Sequence, residues 1–311
     1  MTARRVLVTG GAGFIGSHTA AAFLAAGWRV VVLDDLSSGR RDNVPAGARY
    51  ARGDVRDTRD VRAAAEGCEV IVHLAAFTSV PESFERHAHC FDVNVQGTLT
   101  VLEAAREAGV ERVVLASSSA IYPDGAVEAL DEDETPQPSS PYGISKLEGE
   151  HLLEGFGRRG LGWIALRYFN VYGPLQPADS AYAGVVPVFV ERAVTKQPLP
   201  IHGTGEQTRD FVSVVDVARA NYLAATASVT GIFNVGSGRR TSVLELADAV
   251  QAAAGLRVGR EFFPARSGDA MSSLANIERA MRDLGWRAEV GLEEGLRGTL
   301  AWWRGMVMTE V

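Results

Sequence analysis

The chain has 311 residues, 46% of them apolar and 22% charged, with a formal net charge of −7. These proportions exclude a largely disordered chain, and the acidic balance counts against a nucleic-acid binder, which carries a basic face. No segment approaches the roughly 20 consecutive apolar residues of a membrane span. Met1–Arg5 runs directly into Val6-Leu7-Val8, without the apolar core and cleavage site of a signal peptide. A cytoplasmic protein with no membrane partner is expected. Cys68, Cys90 and the close pair His87/His89 offer no metal-ligand spacing, so no metal is expected. Of 31 basic residues only Lys146 and Lys196 are lysine, and a lysine in so arginine-biased a chain is a candidate for chemistry.

Arg5–Thr9 reads as a buried strand, Gly16–Ala26 as a helix stopped by Gly27, and Val30–Leu33 as a second strand. Strands follow at Val70–Leu74, Arg112–Leu115 and Ile164–Tyr168, with helical patterns at Val61–Glu66, Val93–Ala108 and Ser145–Arg158. The acidic run Asp131–Glu134 reads as a solvated loop. Continuous apolar strands alternating with helices predict an α/β fold, a doubly wound parallel sheet of the Rossmann type. After residue 170 Pro174, Pro177, Pro187, Pro198 and Pro200 break the rhythm, and Ser242–Gly255, Ile277–Leu284 and Leu292–Trp303 look helical. The organisation expected is a dinucleotide-binding domain over 1–170, with a return segment near 210–235, and a smaller mixed α/β substrate domain over 171–311.

Thr9-Gly10-Gly11-Ala12-Gly13-Phe14-Ile15-Gly16 joins the first strand to the first helix, with Gly10, Gly13 and Gly16 spaced G-x-x-G-x-x-G. Glycine permits the tight turn and lets backbone approach a pyrophosphate, and the helix N-terminus supplies N–H donors. Asp34, at the end of the second strand, can bind both adenosine ribose hydroxyls and would repel a 2′-phosphate, which favours NAD. Asp54, in Gly53-Asp54-Val55, either reaches the adenine amino group or serves a turn.

Tyr142 and Lys146 form Y-x-x-x-K, and residues four apart share a helix face. A free tyrosine titrates near ~10, so service as a base near pH 7 needs a shift worth roughly 4 kcal/mol. A positive charge about 4 Å away supplies roughly that much at an effective dielectric of ~20. Ser117-Ser118-Ser119 ends the strand before that helix, where ligands of open α/β sheets bind. Ser119 can pass a substrate proton to Tyr142.

These residues resemble the extended short-chain dehydrogenase/reductase family and, within it, the UDP-hexose 4-epimerases. The likeness runs through the glycine loop, Leu33–Gly39, His73-Leu74-Ala75-Ala76, Asn94, Ser117–Ser119, Tyr142/Lys146, Arg167-Tyr168-Phe169-Asn170 and Arg209-Asp210-Phe211. It implies NAD contacts from Gly10, Gly13, Phe14, Ile15, Gly16, Asp34, Asp54, Val55, Leu74, Ala75, Ala76, Asn94, Ser117, Tyr142 and Lys146, with Tyr168 packed beside the nicotinamide. It implies that Asn170, Val186, Arg209, Arg266 and Asp269 hold the nucleotide diphosphate, and that family members dimerise through helices equivalent to Val93–Ala108 and Ser145–Arg158. A homodimer is therefore expected.

The reaction implied uses one site twice. Tyr142 takes the proton of the sugar 4-hydroxyl while carbon 4 gives hydride to NAD⁺; the 4-keto sugar turns over, and hydride and proton return to the other face. Sugar 4,6-dehydratases and UDP-glucuronate decarboxylases of this family carry an acid after the Ser/Thr position, where Ala120 and Ile121 stand here. Uronate 4-epimerases carry an arginine after the Tyr-Gly-Pro turn, where Leu175 follows Tyr172-Gly173-Pro174. A neutral UDP-hexose is thus favoured over a uronate, over a tailoring ketoreductase or dehydratase, and over a non-catalytic NAD-binding protein. Ser273 matches a position that is bulky in enzymes restricted to UDP-glucose and UDP-galactose, so room for an N-acetyl group is expected. Two departures are Pro123, where the family has glycine, and Asn276, where aspartate is common.

Overall fold

The computed structural model describes residues 3–125, 128–178, 184–265 and 271–309. In chain order the first half holds β1 (Arg5–Thr9), α1 (Phe14–Ala25), β2 (Arg29–Asp34), β3 (Arg49–Arg52), α2 (Thr58–Ala65), β4 (Val70–His73), α3 (Val80–Glu85), α4 (His87–Phe91), α5 (Gly97–Glu107), β5 (Arg112–Ser118), α6 (Pro141–Gly157) and β6 (Gly162–Tyr168). The second half holds β7 (Asn170–Tyr172), α7 (Val185–Val194), β8 (Leu199–His202), β9 (Thr208–Arg209), β10 (Phe211–Ser213), α8 (Val214–Thr226), β11 (Gly231–Val235), β12 (Thr241–Ser242), α9 (Val243–Ala254), β13 (Arg260–Phe263), α10 (Glu278–Leu284) and α11 (Leu292–Thr309).

The apolar runs pair in parallel, in the order β3-β2-β1-β4-β5-β6-β11. Alternate strand residues face opposite sides, and both sides are covered. Val6, Val8, Val32, Val72 and Leu166 pack against Phe23 of α1 and Val217 and Ala220 of α8. Leu7, Val31, Ile71, Val113 and Ala165 pack against Val61 of α2, Leu102 of α5 and Leu153 of α6. Burying each of the larger side chains stabilises the sheet by roughly 1.5–3 kcal/mol. The strand order reverses direction between β1 and β4, and the crevice beyond the carboxyl ends there is where open α/β sheets take ligands.

A third core gathers Phe189 of α7, Leu199 and Ile201 of β8, Leu246 and Val250 of α9, and Leu296 and Leu300 of α11. Asp216 of α8 ties the final segment down, accepting from the Glu289 and Val290 amides at 3.1 and 2.9 Å. Trp303 of α11 is partly buried and packs against the third core. No helix among the described residues is long and apolar enough to cross a membrane.

Two local readings are corrected. The helix expected over Val93–Ala108 is preceded by α4 and a π-turn at Asp92–Gln96, which puts Asn94 on an inward bulge. The acidic run is not wholly solvated: Glu132 is 6% exposed. Its carboxylate accepts from the Asn234 amide at 2.7 Å and pairs with Arg279 at 3.5 Å, partners too distant in sequence for local patterning to reveal.

Candidate active site

The glycine loop owes its residues to close approach. Gly10 sits at φ +68°, and a Cβ on it would lie 2.7 Å from the Ala75 nitrogen; one on Gly16 would lie 2.0 Å from the Gly10 carbonyl oxygen. Gly13 caps α1 and brings no side chain to its amides, so first-turn N–H groups of Phe14, Ile15 and Gly16 face the loop as donors. Asp34 ends β2 beside this loop. Its carboxylate accepts from the Ala12 and Leu36 amides at 2.9 and 2.8 Å, and each oxygen keeps a lone pair for a further donor. Burial pushes its pKa up and the two amides oppose that. The cradle, the bare helix end and the acceptor together fit a dinucleotide.

Asp54 is the more exposed of the two aspartates, and it is already paired. Arg56 grips its carboxylate, with Nε 3.0 Å from both oxygens, and holds its pKa down. Val55 is buried beside it. On the other side of the crevice, Leu74 and Ala75 follow β4, and both amides donate to the Thr9 hydroxyl at 3.2 Å, with Ala76 next in the same loop. That oxygen therefore gives its own proton to His73 Nδ1, at 2.7 Å, and His73 Nε2–H faces the Thr98 hydroxyl at 3.1 Å. Thr98 in turn donates to the Asn94 carbonyl at 2.5 Å. Burial pushes the His73 pKa down to about 3, so the ring is neutral, and its place in the motif is structural.

The catalytic stretch begins with a capped helix. Ser140 accepts from the Gly143 amide at 3.1 Å and Pro141 occupies the first turn, so α6 starts at Pro141, four residues before the expected Ser145. Gly143 lets the helix close on the preceding turn, since a Cβ there would lie 2.4 Å from the Ala120 carbonyl oxygen. Tyr142 keeps some surface exposed at the crevice, but burial of its hydroxyl pushes the pKa up to about 12, opposed by a hydrogen bond with Ser118. Lys146 Nζ donates to the Ala116 carbonyl at 3.0 Å and lies 5.7 Å from the Tyr142 ring centre. Burial lowers the Lys146 pKa to about 8.

The sequence points to Ser119 as the partner of Tyr142; in the structure the serine whose hydroxyl bears on the Tyr142 pKa is its neighbour Ser118. Strand alternation breaks at this point: Ser118 caps a short turn, accepting from the Ala120 amide at 3.1 Å, while Ser119 contributes its carbonyl to the Tyr122 amide. Three further residues expected at the cofactor also have partners inside the protein. Ser117 gives its hydroxyl to the Glu150 carboxylate. Asn94 spends its side chain inside the protein, on the Phe77 amide and carbonyl at 2.8 and 3.0 Å and on Ser145 at 2.9 Å. Tyr168 is a core residue whose hydroxyl donates to Asn221 at 2.6 Å.

Asn170 and Arg209 are brought together by pairing of β7 with β10, where Asn170 is opposite Phe211. The Asn170 amide donates to the Asp210 carbonyl at 3.0 Å, Arg209 donates to the Thr208 carbonyl at 2.8 Å, and the Ser273 amide reaches that same carbonyl at 3.2 Å. The organiser is Asp210, which motif reading passes over. Its buried carboxylate accepts from Ser237, Gly238 and the Ala275 amide. Val186 is only 2% exposed, within the third core, which leaves its side chain little surface for a ligand. Arg266 and Asp269 lie outside the described residues. Leu175 sits at φ +67°, a left-handed conformation rare for a side chain of its size.

The model of the NAD-dependent epimerase/dehydratase family matches residues 6–236. The chain belongs to that family. A UDP-glucose 4-epimerase of Mycolicibacterium smegmatis is 40% identical over 309 residues, covering 96% of this chain and 98% of the relative. The structure of a Thermus thermophilus UDP-glucose 4-epimerase with NAD is 42% identical with a TM-score of 0.90, covering 97% and 99% of the two chains. A Methanobrevibacter ruminantium UDP-N-acetylglucosamine 4-epimerase in complex with UDP-N-acetylmuramic acid is 32% identical with a TM-score of 0.94, covering 98% and 100%. In this family member the tyrosine–lysine pair, the Ser118 hydroxyl and the glycine loop all line the carboxyl ends of β1, β4 and β5.

Proposed function

We propose that the protein is an NAD-dependent UDP-hexose 4-epimerase, acting on UDP-glucose/UDP-galactose and also on UDP-N-acetylglucosamine/UDP-N-acetylgalactosamine. The observation that carries this reading is the Tyr142/Lys146 pair on one face of α6, with Ser118 at the end of β5, at the mouth of a dinucleotide cradle. NAD, held by the Gly10–Gly16 loop and Asp34, supplies the hydride acceptor at sugar carbon 4 and a second positive charge. Ser118 hydrogen-bonds the sugar 4-hydroxyl and passes its proton to Tyr142; the same two groups return a proton after the 4-keto sugar has turned over.

Magnitudes decide when Tyr142 becomes a base. From about 12, ionisation near pH 7 needs a shift worth about 7 kcal/mol. One charge about 6 Å away supplies about 3 kcal/mol at an effective dielectric of ~20. Lys146 alone is insufficient, so Tyr142 stays protonated until the cofactor is in place, and base strength is confined to the loaded enzyme.

Arg209 and Asn170 hold the diphosphate end, the former through a guanidinium fork suited to phosphate. Arg266 and Asp269 complete this end in the same reading, with Val186 offering its backbone, since its side chain lies in the third core. Leu175 in place of arginine and Ala120 in place of an acid favour a neutral hexose and simple epimerisation. The small Ser273, joined to Thr208 beside Arg209, supports acceptance of N-acetylated sugars. We also propose a cytoplasmic homodimer joined through α5 and α6, on the strength of the family resemblance; light scattering tests the dimer. Proton NMR of UDP-glucose and UDP-N-acetylglucosamine incubated with pure protein tests the activity. New 4-epimer signals are expected without added NAD; none after NAD addition would end the reading.

A further inference from the structure

One buried charge pair stands behind the proposed proton-transfer site. Arg167 of β6 is 2% exposed and Glu150 of α6 3%. The guanidinium binds the carboxylate through two bonds, Nε to Oε1 at 3.0 Å and Nη2 to Oε2 at 2.8 Å. Its remaining nitrogen donates to the Tyr122 hydroxyl at 2.9 Å and the Glu132 carbonyl at 3.1 Å, and Tyr122 passes the chain on to Asn234 at 2.7 Å. Apolar side chains of similar volume would hold such a place as firmly, because burying an ion pair returns little net stability.

The geometry gives it another use. Ser117 of β5 lies opposite Arg167 in the sheet register, and its hydroxyl donates to the same Glu150 carboxylate. The next residue is Ser118. Glu150 in turn follows Tyr142 and Lys146 at four-residue intervals, so the three share one face of α6. One carboxylate therefore ties the strand tip that carries Ser118 to the helix that carries Tyr142. At 1.5 Å per residue Tyr142 stands about 12 Å along the helix from this tie, so sliding or rotation of α6 against β5 would displace the tyrosine hydroxyl.

We propose that Glu150, Arg167 and Ser117 are positioning residues that set the Tyr142 hydroxyl against Ser118 in the proton-transfer geometry. This rests on the epimerase reading, which wild-type turnover tests separately. A misplacement of about 1 Å can cost on the order of a hundredfold in rate.

The test compares Tm, kcat, KM and retained NAD for four proteins that share a wild-type control active on UDP-glucose. Glu150→Gln and Arg167→Met each break the pair and are expected to lower both Tm and kcat. Arg167→Met/Glu150→Leu replaces the pair with apolar volume. It is expected to regain most of the Tm, because no charge is left unpaired, while kcat stays about ten- to a hundredfold low with KM and NAD retention near wild type. Recovery of kcat along with Tm would reduce the pair to a structural role and overturn the proposal. Ser117→Ala keeps the ion pair and decides the matter if the double variant does not fold. A kcat about tenfold low at wild-type Tm and KM supports the tie, and wild-type kcat refutes it.

Discussion

Ser118, the last residue of β5 and the cap of the turn that follows, is the side chain that opposes the burial-driven rise of the Tyr142 pKa. Ser119, its neighbour, directs its carbonyl into that turn. Ser118→Ala is therefore expected to lower kcat about a hundredfold, within the usual range for loss of a proton-transfer partner. Ser119→Ala should stay within about threefold of wild type. Steady-state rates on UDP-glucose check both, and equal losses would return the role to Ser119.

Lys146 leaves a signature in the stability of the cofactor-free protein. Its pKa falls from 10.5 unfolded to about 8 folded. Below pH 8 both states hold the proton and the folded one bears the cost of a buried charge. Between 8 and 10.5 only the unfolded state binds it, so stability rises with pH, by on the order of 3 kcal/mol from this group. Urea titrations of wild type and Lys146→Met should diverge in slope across that window, with the variant lacking the rise.

His73 acts at the opposite end of the scale. Unfolded it takes a proton near 6.5, folded only near pH 3, because burial excludes the charge. Stability is fully present above pH 6.5 and is lost as pH falls toward 3, by on the order of 5 kcal/mol. His73→Gln should be less stable at pH 7, through loss of the Thr9 and Thr98 contacts, yet show a flatter acid limb in thermal melts from pH 7 to 4. A parallel limb would mean that other groups govern acid unfolding.

Substrate width is expected to hinge on Ser273. Ser273→Tyr should reduce kcat/KM for UDP-N-acetylglucosamine at least tenfold while leaving UDP-glucose within about threefold, since filling a pocket discriminates by roughly 1–3 kcal/mol. Parallel loss on both sugars, or on neither, would remove the size argument.

The strand runs were legible because buried parallel strands are apolar without interruption, and the glycine loop because close backbone contact leaves no substitute at Gly10 and Gly16. Tyr142 and Lys146 were legible through helical spacing. The choice between Ser118 and Ser119 was not: three adjacent serines are chemically alike, and the turn at the strand end sets them apart. The internal partners of Asn94 and Ser117 were hidden for a related reason. Their side chains serve partners 17 to 51 residues away along the chain, contacts that no local pattern encodes. The start of α6 was readable in principle from Ser140-Pro141, a cap followed by the residue best suited to a first turn.

The two lysines differ in a way that bears on handling the molecule. Lys146 is 8% exposed and anchored to a strand carbonyl, whereas Lys196 stands in solvent just beyond α7, at φ +57°. Of the two lysine side chains, only this one is open to amine-directed coupling, and α7 belongs to the third core, apart from α6, which bears the tyrosine. A dye or solid support attached there would leave the lysine of the tyrosine–lysine pair untouched. With the acid–base groups left unmodified, each tethered molecule would remain competent to turn over substrate.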